Sequence, residues 1–515
     1  MKYDVIVVGG GSAGCPLAAR LSEDPGRSVL LLEAGADYPD FETLPDDLKY
    51  SYNQATYDLS GRNIWTFPGR HTSRQTSDGP VVRGKVMGGG SAVNGATYVR
   101  GAPQDFDGWA ARGNGRWSYL SVLPFFRRLE TDRDIRDDFH GTDGPISVRH
   151  YRRGELLPFQ EAFYQSCLDA GYPESPDVNH PEATGISPTA TNNVDGVRVS
   201  TAMAYINPNR HRMNLTVRGN VLVTRVLFSG KRAVAVEAES GGERYVVEGG
   251  EIILSAGAIK SAHLLMLSGV GPADQLRSCG VPLVQELPGV GQNLKDHPQV
   301  PVQLAVREGF PMDPDAPRRQ AILRFTATGS GDANDLATQP TSFAFKLGGS
   351  PRVHDGVRIT PTLYLAQGAG ELRLTSADPH AYPSIDYHYM ENAWDRQRMR
   401  EVVRTTVGLL GNPAYEGIVS ARVAPTDEDL STDDALDRWI MEALAVCQTQ
   451  HMAGTCRMGP SSDAMAVVDQ YCRVHGIEGL RVVDTSIMPD VVRVPTNCSA
   501  IMIGERASEL VRETM

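Results

Sequence analysis

The sequence predicts an α/β fold in two parts: a domain of parallel strands and helices, and a second, sheet-based α+β domain. Three observations carry this. The chain opens on a strand, a glycine turn and a helix. Its 515 residues exceed what one typical core holds. Its middle mixes strand-like runs with no second glycine fingerprint.

Residues 3–8, Tyr-Asp-Val-Ile-Val-Val, read as a buried parallel strand: short, β-branched and followed at once by glycine. Gly9, Gly11 and Gly14 then satisfy GxGxxG. The first glycine permits a tight turn, the second lets backbone N–H groups approach a pyrophosphate, and the third packs helix on strand. Ser12 and Ala13 open a helix expected to run to Leu21, its positive end toward the phosphates. A second strand, Ser28 to Leu32, ends in Glu33 and Ala34. Glu33 lies nineteen residues beyond Gly14, placed to accept hydrogen bonds from adenosine ribose hydroxyls. A carboxylate there disfavours NADP, whose 2′-phosphate it would repel. The order and spacing define a Rossmann-like dinucleotide site, and the fingerprint alone leaves FAD and NAD both open.

Composition excludes several classes. Apolar residues make up 41% and charged residues 22%, ordinary for a globular protein. Fifty basic and 62 acidic side chains leave a formal charge of −12, which argues against nucleic acid or an anionic membrane as partner. Seven cysteines (Cys15, Cys167, Cys279, Cys447, Cys456, Cys472 and Cys498) show no CxxC spacing and are odd in number. That pattern fits a reducing compartment better than a disulfide scaffold or a zinc site. With no HExxH or EF-hand pattern either, no metal is expected. The opening apolar run, Val5 to Val8, falls short of the roughly 7–15 residues of a signal peptide. No stretch approaches the ~20 apolar residues of a membrane-spanning helix. A cytoplasmic protein without stable membrane insertion is the expectation, and no pattern fixes its oligomeric state.

Later blocks narrow the chemistry. Arg83-Gly-Lys-Val-Met-Gly-Gly-Gly-Ser-Ala-Val-Asn94-Gly resembles the first signature of the GMC (glucose–methanol–choline) oxidoreductases, and Ser255 to Gly271 resembles the second. Pro288-Gly-Val-Gly-Gln-Asn-Leu-Lys-Asp-His-Pro298 resembles another loop of that family. So do His451-Met-Ala-Gly-Thr-Cys-Arg-Met-Gly459, Leu480 to Pro489, and Thr496-Asn497 leading into Ile501-Met-Ile-Gly-Glu. The blocks keep the family's order from residue 3 to the C-terminus, and the likeness is choline or alcohol dehydrogenase-like. Gly90 stands where the family often has Ser, and Ala262 and Met452 replace a common Pro. None of these changes removes a reactive group.

The resemblance implies FAD, held non-covalently, because no His or Cys lies between Gly84 and Gly95 to attach it. It implies that Gly84, Gly89, Asn94 and Gly95 meet flavin and pyrophosphate, that Val223 meets adenine through its backbone, and that Ala256-Gly257 pass beneath the nucleotide. Asp484 and Thr485 would stand on the flavin side, with Asp484 reaching a hydroxyl or a phosphate-bound water. Strands are expected at Asn220–Val226, Glu251–Leu254 and Leu480–Val483. A helix after Asn497, apolar at Ile503, Ala507, Leu510 and Val511, would point its N-terminus at the flavin. Its dipole would favour negative charge there by about 0.3–1 kcal/mol.

On this likeness the FAD-binding domain comprises residues 1–150, 216–300 and 446–515, and the substrate-binding domain residues 151–215 and 301–445. The second domain carries the strand-like run Val357–Leu365. Its Pro- and Asp-rich segment Phe310–Asp335 is expected either as a lid or access loop or as a disordered insertion.

Alcohol oxidation needs a base near neutral pKa and a hydride acceptor, which favours His for the first role. Among twelve histidines, the resemblance singles out His451 as base and Asn497 as the neutral partner that orients the substrate oxygen. The expected reaction is oxidation of a small-molecule alcohol, primary by preference, to the aldehyde. Gly269-x-Gly271 and Gly289-x-Gly291 both lack the third glycine of a second fingerprint. The electron acceptor is therefore expected to be oxygen, a quinone or a protein carrier rather than NAD. The competing expectation is a non-oxidative flavoprotein of the same fold, like a hydroxynitrile lyase or a fatty-acid photodecarboxylase.

Overall fold

The protein is represented by a computed structural model in which residues 2–51, 61–313, 316–342, 356–445 and 449–515 are described. Cys447 and the expected domain start at residue 446 fall outside them. The other six cysteines are free.

A seven-stranded sheet grows from the opening unit. Its order is Leu215–Arg218, Val29–Leu32, Lys2–Val8, Glu243–Leu254, Arg232–Ser240 and Leu222–Ser229, with Leu480–Val482 also paired to Glu243–Leu254. Val5–Val8 run parallel between Val29–Leu32 and Glu251–Leu254, and all twelve of these residues except Glu251 are buried. Burial on both faces explains why these strands are continuous apolar runs rather than alternating ones. The helix of the opening unit spans Gly14–Leu21, two residues later than the sequence suggests, since Ser12 and Ala13 still belong to the turn. Glu243–Leu254 is longer than its apolar end implied, because its polar first half pairs with Arg232–Ser240 as an antiparallel edge.

A second sheet of six antiparallel strands has the order Val419–Ala424, Val302–Val306, Val357–Leu363, Leu336–Thr341, Ala321–Phe325 and Gly185–Pro188. One of its faces is covered by the helices Pro158–Asp169 and Ala393–Leu409. Val357 and Ile359 share a buried cluster with Phe159, Phe163 and Leu409, and Thr406 donates to Thr338 at 3.0 Å. Residues between these positions turn to the opposite face, as the two-residue period of a strand requires.

The segment Phe310–Asp335 departs from both of its expectations over one strand. Ala321-Ile-Leu-Arg-Phe325 is a strand of the six-stranded sheet, with its first four residues buried. Its apolar side chains gain more from sheet packing than a mobile loop offers. Residues 314 and 315 of that segment lie outside the described residues.

The last helix, Asn497–Thr514, crosses the first one closely: a Cβ at Gly504 would stand 2.3 Å from the Ala13 carbonyl oxygen. Glu505, fully buried on this helix, is held by Arg20 at 3.0 Å, Arg128 at 2.7 Å and the Tyr205 hydroxyl at 2.7 Å. Removing one partner of such a buried charge leaves the rest uncompensated, so the contact fixes where Asn497 sits. Among the described residues no helix is long and apolar enough to cross a membrane.

Candidate active site

A cavity of about 650 Å³ runs from the glycine turn to the six-stranded sheet, a size typical of ligand pockets. Its lining brings together Gly9, Gly11, Ser12, Ala13, Glu33, Ala34, Gly84, Gly89, Asn94, Gly95, Val223, Ala256, Gly257, His451, Asp484, Thr485 and Asn497. Gly14 alone of the residues singled out from the sequence stands behind the lining.

The three glycines of the fingerprint differ in what surrounds them. Gly9 has φ +106°, and a Cβ there would lie 2.4 Å from the Ser255 carbonyl oxygen. A Cβ on Gly14 would lie 1.9 Å from the Gly9 carbonyl oxygen, so its smallness serves helix-on-strand packing. A Cβ on Gly11 would meet no protein atom closer than 3.9 Å. Its smallness is not needed by the fold, and it leaves an open cradle at a helix N-terminus, which suits a pyrophosphate.

Glu33 Oε2 accepts the Gly10 N–H at 2.9 Å and Oε1 accepts the Gly35 N–H at 2.8 Å. Each oxygen keeps a lone pair for a ribose hydroxyl. Burial pushes this carboxyl up to about 7 against the hydrogen bonds from Gly35 and Gly10. Asp484 is more occupied than its expected role implies. Its Oδ2 accepts from the Gly257 N–H at 2.9 Å and the Ser261 hydroxyl at 2.5 Å, and its Oδ1 from the Ser486 N–H at 2.8 Å. It thereby joins the start of the helix Gly257–Leu267 to the turn after Leu480–Val482. Asn94 Oδ1 is likewise tied, accepting the Ala96 N–H at 2.9 Å.

At the other end His451 meets a residue that the sequence reading did not single out. His297, from the loop ending at Pro298, places its Nδ1 2.9 Å from His451 Nδ1 and its Nε2 2.9 Å from the Val492 carbonyl oxygen. A carbonyl only accepts, so His297 Nε2 carries the hydrogen. Burial pushes His297 down to about 3, so the ring is neutral and its Nδ1 is a bare acceptor. His451 Nδ1 must then be the donor, and the unprotonated nitrogen of His451 is Nε2. Burial holds His451 well below the usual histidine range, helped by His297 and the charges of Arg83 and Arg319. It is a neutral base at neutral pH.

Asp296 keeps the two histidines together. Its buried Oδ1 accepts the backbone N–H of His297 at 2.7 Å and of His451 at 2.9 Å, and also the Thr449 hydroxyl. Lys295 and Ala453 exchange backbone bonds of 3.0 and 2.9 Å beside them. The signal for His297 was present, since the Asp-His-Pro end of its loop was part of the resemblance. What was missing was the distance to a residue 154 positions away.

Asn497 begins the last helix and faces the same cavity. Its Oδ1 accepts the Ser12 hydroxyl at 2.9 Å, and the Ser12 oxygen in turn accepts the Ser91 N–H at 3.1 Å. The amide is therefore oriented by the nucleotide turn itself, and its Nδ2 is buried without a protein partner. A buried unmet donor in a cavity is complementary to an acceptor on a ligand. The same cavity is closed by Gln299, Arg319, Gln339, Arg358, Thr360, Thr362 and Tyr364, none of which carries a local motif.

The comparisons agree over the whole length. The family model for the N-terminal part of the GMC oxidoreductases matches residues 3–299, and the model for the C-terminal part matches residues 366–504. A GMC-type oxidoreductase of Rhodococcus erythropolis is 38% identical over 99% of this chain and 98% of its own. An oxygen-dependent choline dehydrogenase of Escherichia coli O127:H6 is 37% identical over 99% of this chain and 96% of its own. Among solved structures, the pyridoxine 4-oxidase of Mesorbium loti superposes with a TM-score of 0.90 at 27% identity, each chain fully covered. With the parallel strands of a mixed sheet carrying an open glycine cradle, a neutral histidine beside it, and both family models in sequence order, this chain belongs to the GMC oxidoreductase family.

Proposed function

We propose that this protein oxidises a primary alcohol to the aldehyde with non-covalently bound FAD as the immediate oxidant. The carrying observation is the pair of unmet groups in one cavity: the lone pair of His451 Nε2 and the donor Nδ2 of Asn497. FAD, when bound, supplies the hydride acceptor. Gly11, Gly89 and the N-terminus of the helix Gly14–Leu21 would hold its pyrophosphate, and Glu33 its ribose. The absence of a His or Cys between Gly84 and Gly95 supports a non-covalent cofactor.

The protein's own part is positional and acid–base. Asn497 Nδ2 donates to the substrate oxygen and fixes its direction. His451 Nε2 takes the hydroxyl proton; burial, with Arg83 and Arg319, keeps the resting ring neutral and that lone pair free, and makes it a weaker base than an ordinary histidine. His297 Nδ1 accepts from His451 Nδ1 throughout, so the ring cannot present its protonated nitrogen to the substrate. Such a base contributes about 10²–10⁴-fold to rate. Oxygen as final acceptor is supported by the names of the two characterised relatives, an oxygen-dependent dehydrogenase and an oxidase.

The test is anaerobic reduction of the flavin by an alcohol panel, in the native enzyme and in His451→Ala that still holds FAD. Native bleaching and a slowing of about 10²–10⁴-fold in the variant are expected. Reduction of the variant at the native rate removes His451 from the role of base. A native enzyme that no alcohol bleaches would favour the non-oxidative alternative of the same fold. Peroxide released on admission of air identifies oxygen as acceptor.

A further inference from the structure

On the six-stranded sheet, Thr360 and Thr362 line the cavity from alternate positions of one strand, and Ala337 and Gln339 line it from the strand beside them. Gln339 pairs across from Thr360 and Ala337 from Thr362, so the four side chains share one face. Val357 and Ile359 turn the other way, into the cluster under the covering helices. On that covered face Thr338 is satisfied, accepting from the Thr406 hydroxyl at 3.0 Å. On the cavity face Thr362 Oγ1 donates to the Thr360 carbonyl oxygen at 3.4 Å. Its two neighbours are unmet. Thr360 is 3% exposed and its Oγ1 has no partner among the described residues, and Gln339 Nε2 is buried and equally without one.

A polar atom buried without a partner loses the hydrogen bonds that water gave it, and native proteins keep few such atoms. Two of them on facing positions of neighbouring strands, opening into one cavity, mark a place that a ligand atom completes. Gln339 Nε2 only donates, whereas a threonine hydroxyl donates or accepts. A ligand hydroxyl meets both: its oxygen accepts from Nε2, and it exchanges a bond with Oγ1 in either sense. A methyl group meets neither. The strand also sets where this place lies. Tyr364, the next cavity residue after Thr362, meets the His297 ring edge-on with centres 4.9 Å apart, and His297 is bonded to His451. Thr360 is four residues before Tyr364, roughly 13 Å along an extended chain. The unmet pair therefore stands at the far end of the substrate space and not beside the reacting carbon.

We propose that the alcohol oxidised here carries a second hydroxyl, remote from the reacting one, which is received between Gln339 Nε2 and Thr360 Oγ1. This rests on the alcohol-oxidising reading above and narrows its substrate to extended diols and polyols. His451 Nε2 and Asn497 Nδ2 hold the reacting end, and Gln339 with Thr360 hold the other. A substrate hydroxyl that reproduces the bonds of solvent displaces it without loss, whereas an alkyl end strands both protein groups. Discrimination of this kind is strong because it penalises the wrong ligand at two buried atoms at once.

The test separates binding from turnover. Straight-chain α,ω-diols of about four to twelve carbons, bracketing a span of roughly 13 Å, are set against the alcohols in which a methyl replaces the second hydroxyl. Binding is read from flavin absorbance in the His451→Ala holoenzyme, and in the native one where it does not bleach. Turnover is read from anaerobic bleaching of the native flavin. At the favoured length the diol should bind about tenfold or more tighter than its methyl analogue, and bleach faster at limiting concentration. In Gln339→Leu/Thr360→Val on the same background the preference should fall to within about twofold. Equal binding of diol and methyl analogue at every length overturns the proposal, whether or not the double variant folds. So does a diol preference that the double variant keeps. Diol-selective binding with no bleaching by any alcohol sinks alcohol oxidation and leaves the Gln339–Thr360 site standing. Equal bleaching and equal binding of the two series keeps oxidation and removes the second hydroxyl.

Discussion

The two walls of the cavity are made of different chemical material. The nucleotide wall is largely backbone: glycines whose missing side chains leave room, N–H groups at a helix start, and one carboxylate two residues from its own partner Gly35. The substrate wall is side chains on alternate positions of strands that lie far apart in the chain, joined by His297 and His451 at the seam. Backbone sites recognise what every family member shares, a pyrophosphate and a ribose. Side-chain walls can change one residue at a time without disturbing the sheet behind them.

The comparison can be broken most sharply at the seam. His297→Phe removes the acceptor that fixes the His451 tautomer, and anaerobic flavin reduction should slow by about 10²-fold with FAD retained. His297→Gln, whose amide oxygen can accept the same hydrogen, should recover part of that loss. A merely structural role for His297 would leave the pH profile alone. The native profile should show no acid limb near 6.5, because His451 is already neutral there and loses its lone pair only at lower pH. In His297→Phe the His451 ring loses the neutral acceptor of its Nδ1 hydrogen while burial and the charges of Arg83 and Arg319 remain, so any acid limb should move further down. A limb that rises toward 6.5 would count against the tautomer argument.

Next in size is a contrast within one motif. Gly14→Ala places a methyl 1.9 Å from a backbone oxygen, and should cost about 1–3 kcal/mol or more of fold stability, read as a lower Tm of the FAD-free protein. Gly11→Ala has no such clash and should leave that Tm within about 1 °C while weakening FAD retention. Equal effects of the two on the FAD-free fold would show that Gly11 is structural and the cradle is not a ligand site.

The smallest expected effect concerns Glu33. Its folded-state value of about 7 lies above the ordinary 4.5, so the native state binds more protons between these values. Stability of the FAD-free protein from this group is full below about 4.5 and falls as pH rises toward about 7. Glu33→Gln should flatten that slope by the equivalent of about 1–2 °C in Tm across the window, and should weaken FAD binding at pH 7.5. An identical slope in both proteins would mean that the carboxyl is not strained by burial.

Legibility followed the same division. The α/β fold class and the order of the opening strand, turn, helix and strand could be read because each depends on neighbours within about thirty residues. The motif residues reach one cavity because their strands end at the same edge of one sheet. The strand inside Phe310–Asp335 was missed because prolines and aspartates outnumber its five residues in the segment. Asp484 lines the cavity and also holds three protein donors, a count that needs coordinates. Arg358 could not be read as a lining residue because an arginine in a strand carries no mark of which face it takes.

By itself the sequence determined a dinucleotide cradle, since glycine spacing and a following helix act over a few residues, and it determined the family through blocks whose order survives. Only the tertiary structure decided that His297 fixes the tautomer of His451 and that Ser12 orients Asn497. Those depend on groups brought within a few ångströms from 154 and 485 positions apart, and the direction of a hydrogen bond exists only once they meet.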